Sequence, residues 1–437
     1  LAETDQRATY QPVAKGERIH VLDALRGFGI FGILMINILD FSGYGFMTMA
    51  DRQDLMLAEW NMFFDRVHTV FFRGKFYSLF SLLFGIGFAI QIIRTSAAGR
   101  SLGRHFSRRL FILFFIGLIH LWAIWFGDIL VLYAMCGMLL LLFRNSSDRR
   151  LLFWVLVLIF LLPGLHALYL HLTNGGYTTS IYRWLSNSWI AADLPQAPEG
   201  RVLYQIKDLV EVIQSSSWRT ILSFNALGPL LRGYIIALDA RFFKVLGIFV
   251  LGLWAGRQLI NKSLHDNRDF LIRLAGIGLL IGIPMNILLA MDLPDQLEPG
   301  WFVLVRDSLT SLRYVILMAG YVAVFMLLYR TWFRRVLDTL FEAVGKTALT
   351  NYILQSVIGI LLFYDIGLGL GKYFGSALLT LSVLVIFALQ ILLSTWWLNC
   401  YRYGPLEWIW RVLTYGAYLP NRIVKESRDY ARSGQVV

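Results

Sequence analysis

Arg26 and Asn37 stand eleven residues apart in an otherwise apolar run, with Asp23 one turn before the arginine. Eleven residues of helix rise about 16 Å, roughly three turns, so the carboxylate, guanidinium and amide share one face. Ionisable groups inside a hydrocarbon layer are costly and persist where they bind something polar or one another. Asp23 and Arg26 are therefore candidate binding residues for an anionic, phosphate-bearing donor, and Asn37 a candidate hydrogen-bond donor to substrate. The competing reading is an Asp–Arg pair that only fixes a helix end.

His120 and Asp128 form a second constellation. On a continuous helix they lie about 12 Å apart, so they meet only if the helix breaks, for example near Gly127, or if substrate or water bridges them. A histidine gains or loses a proton near neutral pH, which suits acyl transfer to a hydroxyl or amine. His120 is a candidate base and Asp128 its orienting partner; a histidine bonded across a helix bundle is the alternative. His68, flanked by Asp65 and Arg66, competes for the same catalytic role or is an ordinary interfacial residue. His166 and His171 are placed at a substrate entrance, and His20, His105 and His265 at the surface. The histidines share no compact ligand spacing, and no metal site is expected.

Thr347, Asn351 and Gln355 recur every four residues with Ser356 adjacent, and Gln390 with Ser394 repeats the spacing. Such a stripe faces a partner helix or a polar ligand. Asn351, Gln355 and Gln390 are candidate substrate or oxyanion ligands, and Asn286, two residues after Pro284, adds an amide where a helix can kink. Near the C-terminus, Gly404-Pro405 opens a helix on which Glu407 and Arg411 are i,i+4 partners in a structural cap, bracing the bundle or holding donor phosphates.

The elements that position these residues are membrane spans. Hydrophobic residues make up 57% of the 437 and charged residues 16%, too few charges to cover a soluble surface in the usual way. The expected fold is all-α: a polytopic integral membrane helix bundle of about ten spans, with re-entrant or interfacial helices. The spans are placed at 19–39, 76–93, 108–126, 129–143, 151–170, 241–259, 271–290, 311–329, 347–364 and 374–398, the fourth being short. The pieces are a tail at 1–17, an N-terminal five-helix half at 18–170, a long loop at 171–240, a second five-helix half at 241–400 and a cap with tail at 401–437. The first span is expected to remain in the mature protein. The stretch 218–240, interrupted by Gly228-Pro229, is read as a re-entrant or interfacial pair of short helices, and 59–72 as an amphipathic interfacial segment. No internal repeat is evident. Well over half of the 40 Lys and Arg residues then fall on one side, together with both termini. The positive-inside rule makes that side cytoplasmic. The net charge of +12 is explained by this topology and not by nucleic acid. Cys136 and Cys400 support no disulfide framework.

The segments Asp23–Asn37, Phe76–Gly85, Gly127–Ala134, Gly345–Tyr352 with Gln355-Ser356, Gly404–Glu407 and Leu413–Gly416 resemble the YeiB-like bacterial membrane proteins. Those proteins carry a C-terminal domain of unknown function numbered 418. The resemblance covers nearly the whole chain and implies a bacterial inner membrane. It also implies distant similarity to membrane acyltransferases that move acyl groups, often acetyl from acetyl-CoA, onto glycans or lipids at the opposite face. Arg26 matches the arginine of the acyltransferase-3 pattern, but Asn37 stands where that pattern has histidine. The heparan-glucosaminide acetyltransferases also have asparagine there, with their catalytic histidine just before a Trp-Asn pair. Aligning that pair on Trp60-Asn61 puts Leu57 at the histidine position.

The leading expectation is a membrane O- or N-acyltransferase using acyl-CoA or acetyl-CoA as donor substrate, with no tightly bound cofactor. A glycan or lipid is the acceptor, membrane lipids surround it, and self-association into a homo-oligomer stays open. The alternative is a transporter or lipid-handling protein of the same fold without acyl chemistry, in which a buried Arg and amides hold an anionic headgroup or small acid.

Overall fold

The computed structural model describes residues 20–97, 102–195, 207–260, 267–289 and 300–423. Among these residues the fold is all-helical, with only two isolated β-bridges. Helices dominate because a chain in hydrocarbon must satisfy its backbone N–H and C=O groups internally. Among the described residues nine helices are long and apolar enough to cross a membrane, or ten when a bent pair counts as one.

The elements that build the site are α1 (His20–Phe41), α2 (Lys75–Ala97), α3 (Leu102–Ile119), α4 (Leu130–Leu140), α5 (Asp148–Leu172), α6 (Gly176–Ala191) and α7 (Trp218–Leu238). They continue with α8 (Arg241–Ile260), α9 (Arg268–Leu288), α10 (Gly300–Tyr329), α11 (Arg334–Lys346), α12 (Ala348–Phe363), α13 (Ser376–Cys400) and α14 (Pro405–Tyr415). The short α4 continues as a 3-10 turn to Phe143 and falls below full span length.

α1 is the central post, contacting α2, α10, α11, α12 and α13. Its closest neighbour is α11, and glycines make that approach feasible. A Cβ on Gly27 would overlap the carbonyl oxygen of Phe341, and one on Gly345 would overlap the carbonyl oxygen of Asp23. The two backbones therefore touch with no side chain between them, as small residues allow in membrane bundles.

Two expected elements differ in form. The stretch 218–240 is not a pair of short helices. It forms the single 21-residue helix α7, which runs through Gly228-Pro229. Pro229 removes only one backbone donor, and Phe224, Gly228 and Leu231 on one buried face hold the helix together. α7 is long and apolar enough to span by itself. Its contacts are with α6 and the turn after α3: Phe224 packs on Trp189 and Phe126, and Trp122 Nε1 donates to the Ala226 carbonyl. The ninth expected span, 347–364, is one arm of a broken pair, because α11 and α12 meet at Thr347 with an 82° bend.

Candidate functional site

The end of α3 decides whether His120 and Asp128 can meet. After Ile119 the helix widens into one π turn, His120–Ile124, and Trp125 then takes an extended conformation. π turns are frequent at functional sites. Gly127 is required here, because a Cβ at that position would run into the Trp125 indole. The chain reverses and Asp128 folds back under His120. His120 Nδ1 lies 2.9 Å from Asp128 Oδ1, replacing the separation a straight helix would impose.

His120 Nε2 lies 2.9 Å from Ser356 Oγ on α12. Asp128 accepts the Nδ1 proton, which leaves Nε2 as acceptor for the serine hydroxyl. The order is carboxylate, imidazole, hydroxyl, the relay by which a histidine takes a proton from a nucleophilic oxygen. All three side chains are sealed from solvent. Asp128 is itself fixed: Oδ2 accepts from Val131 N at 2.9 Å, and its backbone carbonyl accepts from Arg232 Nε at 2.6 Å. Tyr352, one turn before Ser356, has its ring tilted against His120 with centroids 5.2 Å apart and accepts the Ile129 N–H through its hydroxyl. Ser356, Tyr352 and Arg232 were not singled out for these roles by spacing; the only signal was that Ser356 adjoins the Thr347–Gln355 stripe.

The amide stripe is brought together, but with itself. Asn351 Nδ2 donates to Thr347 Oγ1 at 2.8 Å and Ser394 Oγ at 2.9 Å. Gln355 Nε2 donates to Gln390 Oε1 at 2.9 Å, and Gln390 Nε2 to the Asn351 carbonyl at 3.0 Å. These groups tie α12 to α13 and, through the Ile30 carbonyl, to α1. Asn37 sits apart from them on α1, partly exposed on the same face as Ile33, Ile36 and Asp40.

Arg26 binds Asp23 at the opposite end of α1. Arg109 is within electrostatic reach of both Arg26 and Arg411. Its guanidinium stacks on Trp410 at 4.3 Å, and Arg411 stacks on Tyr403 at 4.6 Å. A basic cluster thus forms at this end, with Arg26 about three turns from Asn37. Arg26, Asn37 and the amide stripe do not converge on one point. His68 is buried and bonded to Thr380 Oγ1 at 2.8 Å; because that hydroxyl donates to the Ser376 carbonyl, His68 donates through Nε2. His166 bonds Tyr177 at 2.7 Å, and His20 pairs with Glu342.

The expected Glu407–Arg411 pair is replaced by a different contact. Glu407 accepts from the backbone N–H groups of Leu349 (2.6 Å) and Thr350 (3.1 Å) and from Thr350 Oγ1 (2.6 Å). The bend at Thr347 leaves the first N–H groups of α12 without intrahelical partners, and a carboxylate there satisfies them and the helix dipole. Burial lifts the Glu407 carboxyl above its ordinary value of 4.5, against the opposing pull of the bonds from Thr350 and Leu349. A raised folded-state value means the native chain holds this proton more tightly than the unfolded one. That contribution to stability is full below pH 4.5 and is lost as pH rises through the raised value. Glu407→Gln, a neutral stand-in for the protonated carboxyl, should lack this component of the pH dependence, so that its thermal midpoint in detergent no longer falls with the wild type's as pH rises from 4.5 to 7. An unchanged midpoint and profile would show that the cap contributes nothing.

Fold and site together define a polytopic, all-helical membrane protein with a hydroxyl–imidazole–carboxylate relay in its interior. Residues 255–417 match the family described as a protein of unknown function, DUF418. Over 429 residues the chain is 33% identical to the uncharacterized protein YxaH of Bacillus subtilis, covering 94% of this chain and 98% of that protein. It is also 30% identical over 433 residues to the uncharacterized protein YeiB of Escherichia coli, covering 94% and 100%. The chain belongs to this YeiB-like family of membrane proteins.

Proposed function

We propose that this protein is a membrane acyltransferase that carries an acyl group, acetyl being the simplest, from acyl-CoA on the cytoplasmic side to a glycan or lipid acceptor at the outer face. The observation that carries the reading is the placement of His120 between Asp128 and Ser356 at hydrogen-bonding distance on both sides. With α7 lying along the outer side rather than crossing, the positive-inside distribution supports cytoplasmic termini and a donor-side position for the Arg26–Arg109–Arg411 cluster. These arginines suit the donor phosphates. The partly exposed α1 face of Ile33, Ile36 and Asn37 suits a pantetheine arm running toward the relay.

In the chemistry, His120 removes the Ser356 Oγ proton as the oxygen attacks the thioester carbonyl. The C–S bond breaks and the histidine returns the proton to the departing thiolate. An acceptor hydroxyl then gives its proton to His120 and attacks the acyl-serine, and Ser356 leaves as the hydroxyl after reprotonation. Asp128 holds the imidazole tautomer and stabilises the imidazolium. The Tyr352 hydroxyl, one turn from Ser356, is the nearest group suited to donate to the developing oxyanion. Sealing by Phe41, Trp125 and Tyr352 excludes water and limits hydrolysis.

The buried amide stripe, bonded within itself except for the unpartnered Gln355 Oε1, favours a second reading, in which the bundle moves an anion or lipid without covalent chemistry. Labelled acetyl-CoA supplied to proteoliposomes containing glycan and lipid acceptors separates the two. Acyl transfer predicts CoA release coupled to label on the acceptor. Substrate flux with no covalent product selects transport, and the absence of labelled acceptor sinks the acyltransferase reading.

A further inference from the structure

Away from the relay, two buried cations flank one aromatic ring. Lys75, the first residue of α2, has no exposed surface; its Nζ donates to the Thr69 carbonyl at 3.0 Å and lies 5.0 Å from the centre of the Tyr314 ring. Arg313 on α10 is 7% exposed, with its Cζ 5.0 Å from the same ring. Arg313 Nη2 bonds the Tyr314 hydroxyl at 3.3 Å, while Nε and Nη1 are buried without a partner. Asn286 on α9 is fastened beside it, donating to the Arg313 carbonyl at 3.2 Å and the Gly282 carbonyl at 2.8 Å, with Oδ1 buried and unpartnered.

The charges do not balance. The ionised groups acting most strongly on Lys75 are Arg313 and Arg73, both cations. The nearest acids belong to other groups. Asp239 is bound at 2.8 Å by Arg241 and at 2.9 Å by Lys244, which hold it down to about 2 against the upward push of burial. Asp40 faces Arg73, Arg232 and Arg241. Lys75 and Arg313 are the two basic groups at the Tyr314 ring, and both carboxylates named here are engaged by other cations. Burying a cation without a partner is among the costlier arrangements a fold can hold.

We infer that Lys75, Arg313, Tyr314 and Asn286 form a binding site for a phosphate group. Nε and Nη1, the two Arg313 nitrogens without partners, lie on different edges of the guanidinium and each offers a charge-assisted donor to an oxyanion. Two buried basic side chains on one ring, neither bonded to a carboxylate among the described residues, suit an oxyanion. Asn286 Oδ1 needs a hydrogen, which a P–OH or a headgroup hydroxyl provides and a carboxylate does not. The group can arrive on a phospholipid headgroup or as a soluble phosphate, and the two share the same contacts. This site is independent of the acyl-transfer reading.

The test is thermal unfolding of the purified full chain in a neutral detergent. It is titrated with inorganic phosphate against chloride at matched ionic strength, and separately with dioleoylphosphatidylglycerol against dioleoylglycerol. A saturable rise in midpoint with either phosphate-bearing probe is expected. Response to the lipid alone identifies a headgroup site, and response to inorganic phosphate identifies a soluble ligand. Arg313→Lys keeps the charge but puts one nitrogen in place of three, and should weaken the response by about ten- to a hundredfold in apparent Kd. Arg313→Met should abolish the response while leaving the ligand-free midpoint equal or higher, because an uncompensated charge is gone. The inference is overturned if neither probe produces a saturable shift, or if both variants respond like the wild type.

Discussion

Replacing His120 with Asn is expected to reduce acyl transfer by about 10³- to 10⁴-fold while leaving acyl-CoA binding unchanged. Asparagine is the informative choice because its amide can occupy the position of Nδ1 and keep a donor on Asp128 Oδ1. Truncation to Ala would leave a fully buried carboxylate unpaired, at a cost of about 3–5 kcal/mol, and mix a folding defect with the chemical one. The separation of binding from chemistry follows from the layout. The basic cluster of Arg26, Arg109 and Arg411 lies at one end of α1, while His120 lies under Phe41 and Trp125 at the other. Asp128→Asn should show a loss of similar size through the wrong imidazole tautomer. Turnover and equilibrium donor binding measured on the same samples check this. Wild-type turnover in His120→Asn would remove the histidine from the mechanism.

The second large effect is on folding. Gly345→Ala places a methyl group against the Asp23 carbonyl, where α11 meets α1 backbone to backbone. Overpacking in a close-packed interior costs about 1–3 kcal/mol where side chains can yield, and more where the obstacle is main chain. Here Gly27 faces Phe341 in the same crossing, so neither helix has slack. Gly345→Ala should therefore lower the thermal midpoint strongly, and Gly345→Val should give little folded protein. Gly276→Ala is the control, since nothing lies within 4 Å of a Cβ there. It should be neutral or stabilising by about 0.4–1 kcal/mol. Equal midpoints for Gly345→Ala and Gly276→Ala would refute the close crossing.

These cases show what was legible in the chain. The apolar helices were, because hydrocarbon admits few other structures and the periodic signal is long. Gly27 and Gly345 stand inside segments that draw attention for their charged neighbours Arg26 and Lys346, yet the structure gives the glycines the tighter constraint. The approach of His120 to Asp128 was conditional on a helix break, and only Gly127 hinted at one. Ser356 is 236 residues from His120, and nothing in local spacing says which helices abut. Glu407 was assigned to Arg411 because an i,i+4 rule sees one helix at a time. The unsatisfied start of α12 offers that carboxylate three donors instead. Lys75 and Arg313 escaped notice for the same reason: single cations in apolar runs become a site only when α2 and α10 bring them to one ring.

The sharpest measurement is the mass of the Ser356 peptide after acid quenching of purified protein incubated with acetyl-CoA in lipid nanodiscs. The account predicts an added acetyl group on Ser356 in the wild type that disappears when a competent acceptor is supplied and does not form in His120→Asn. Acceptor acetylation with Ser356 never modified, and undiminished in Ser356→Ala, would contradict it.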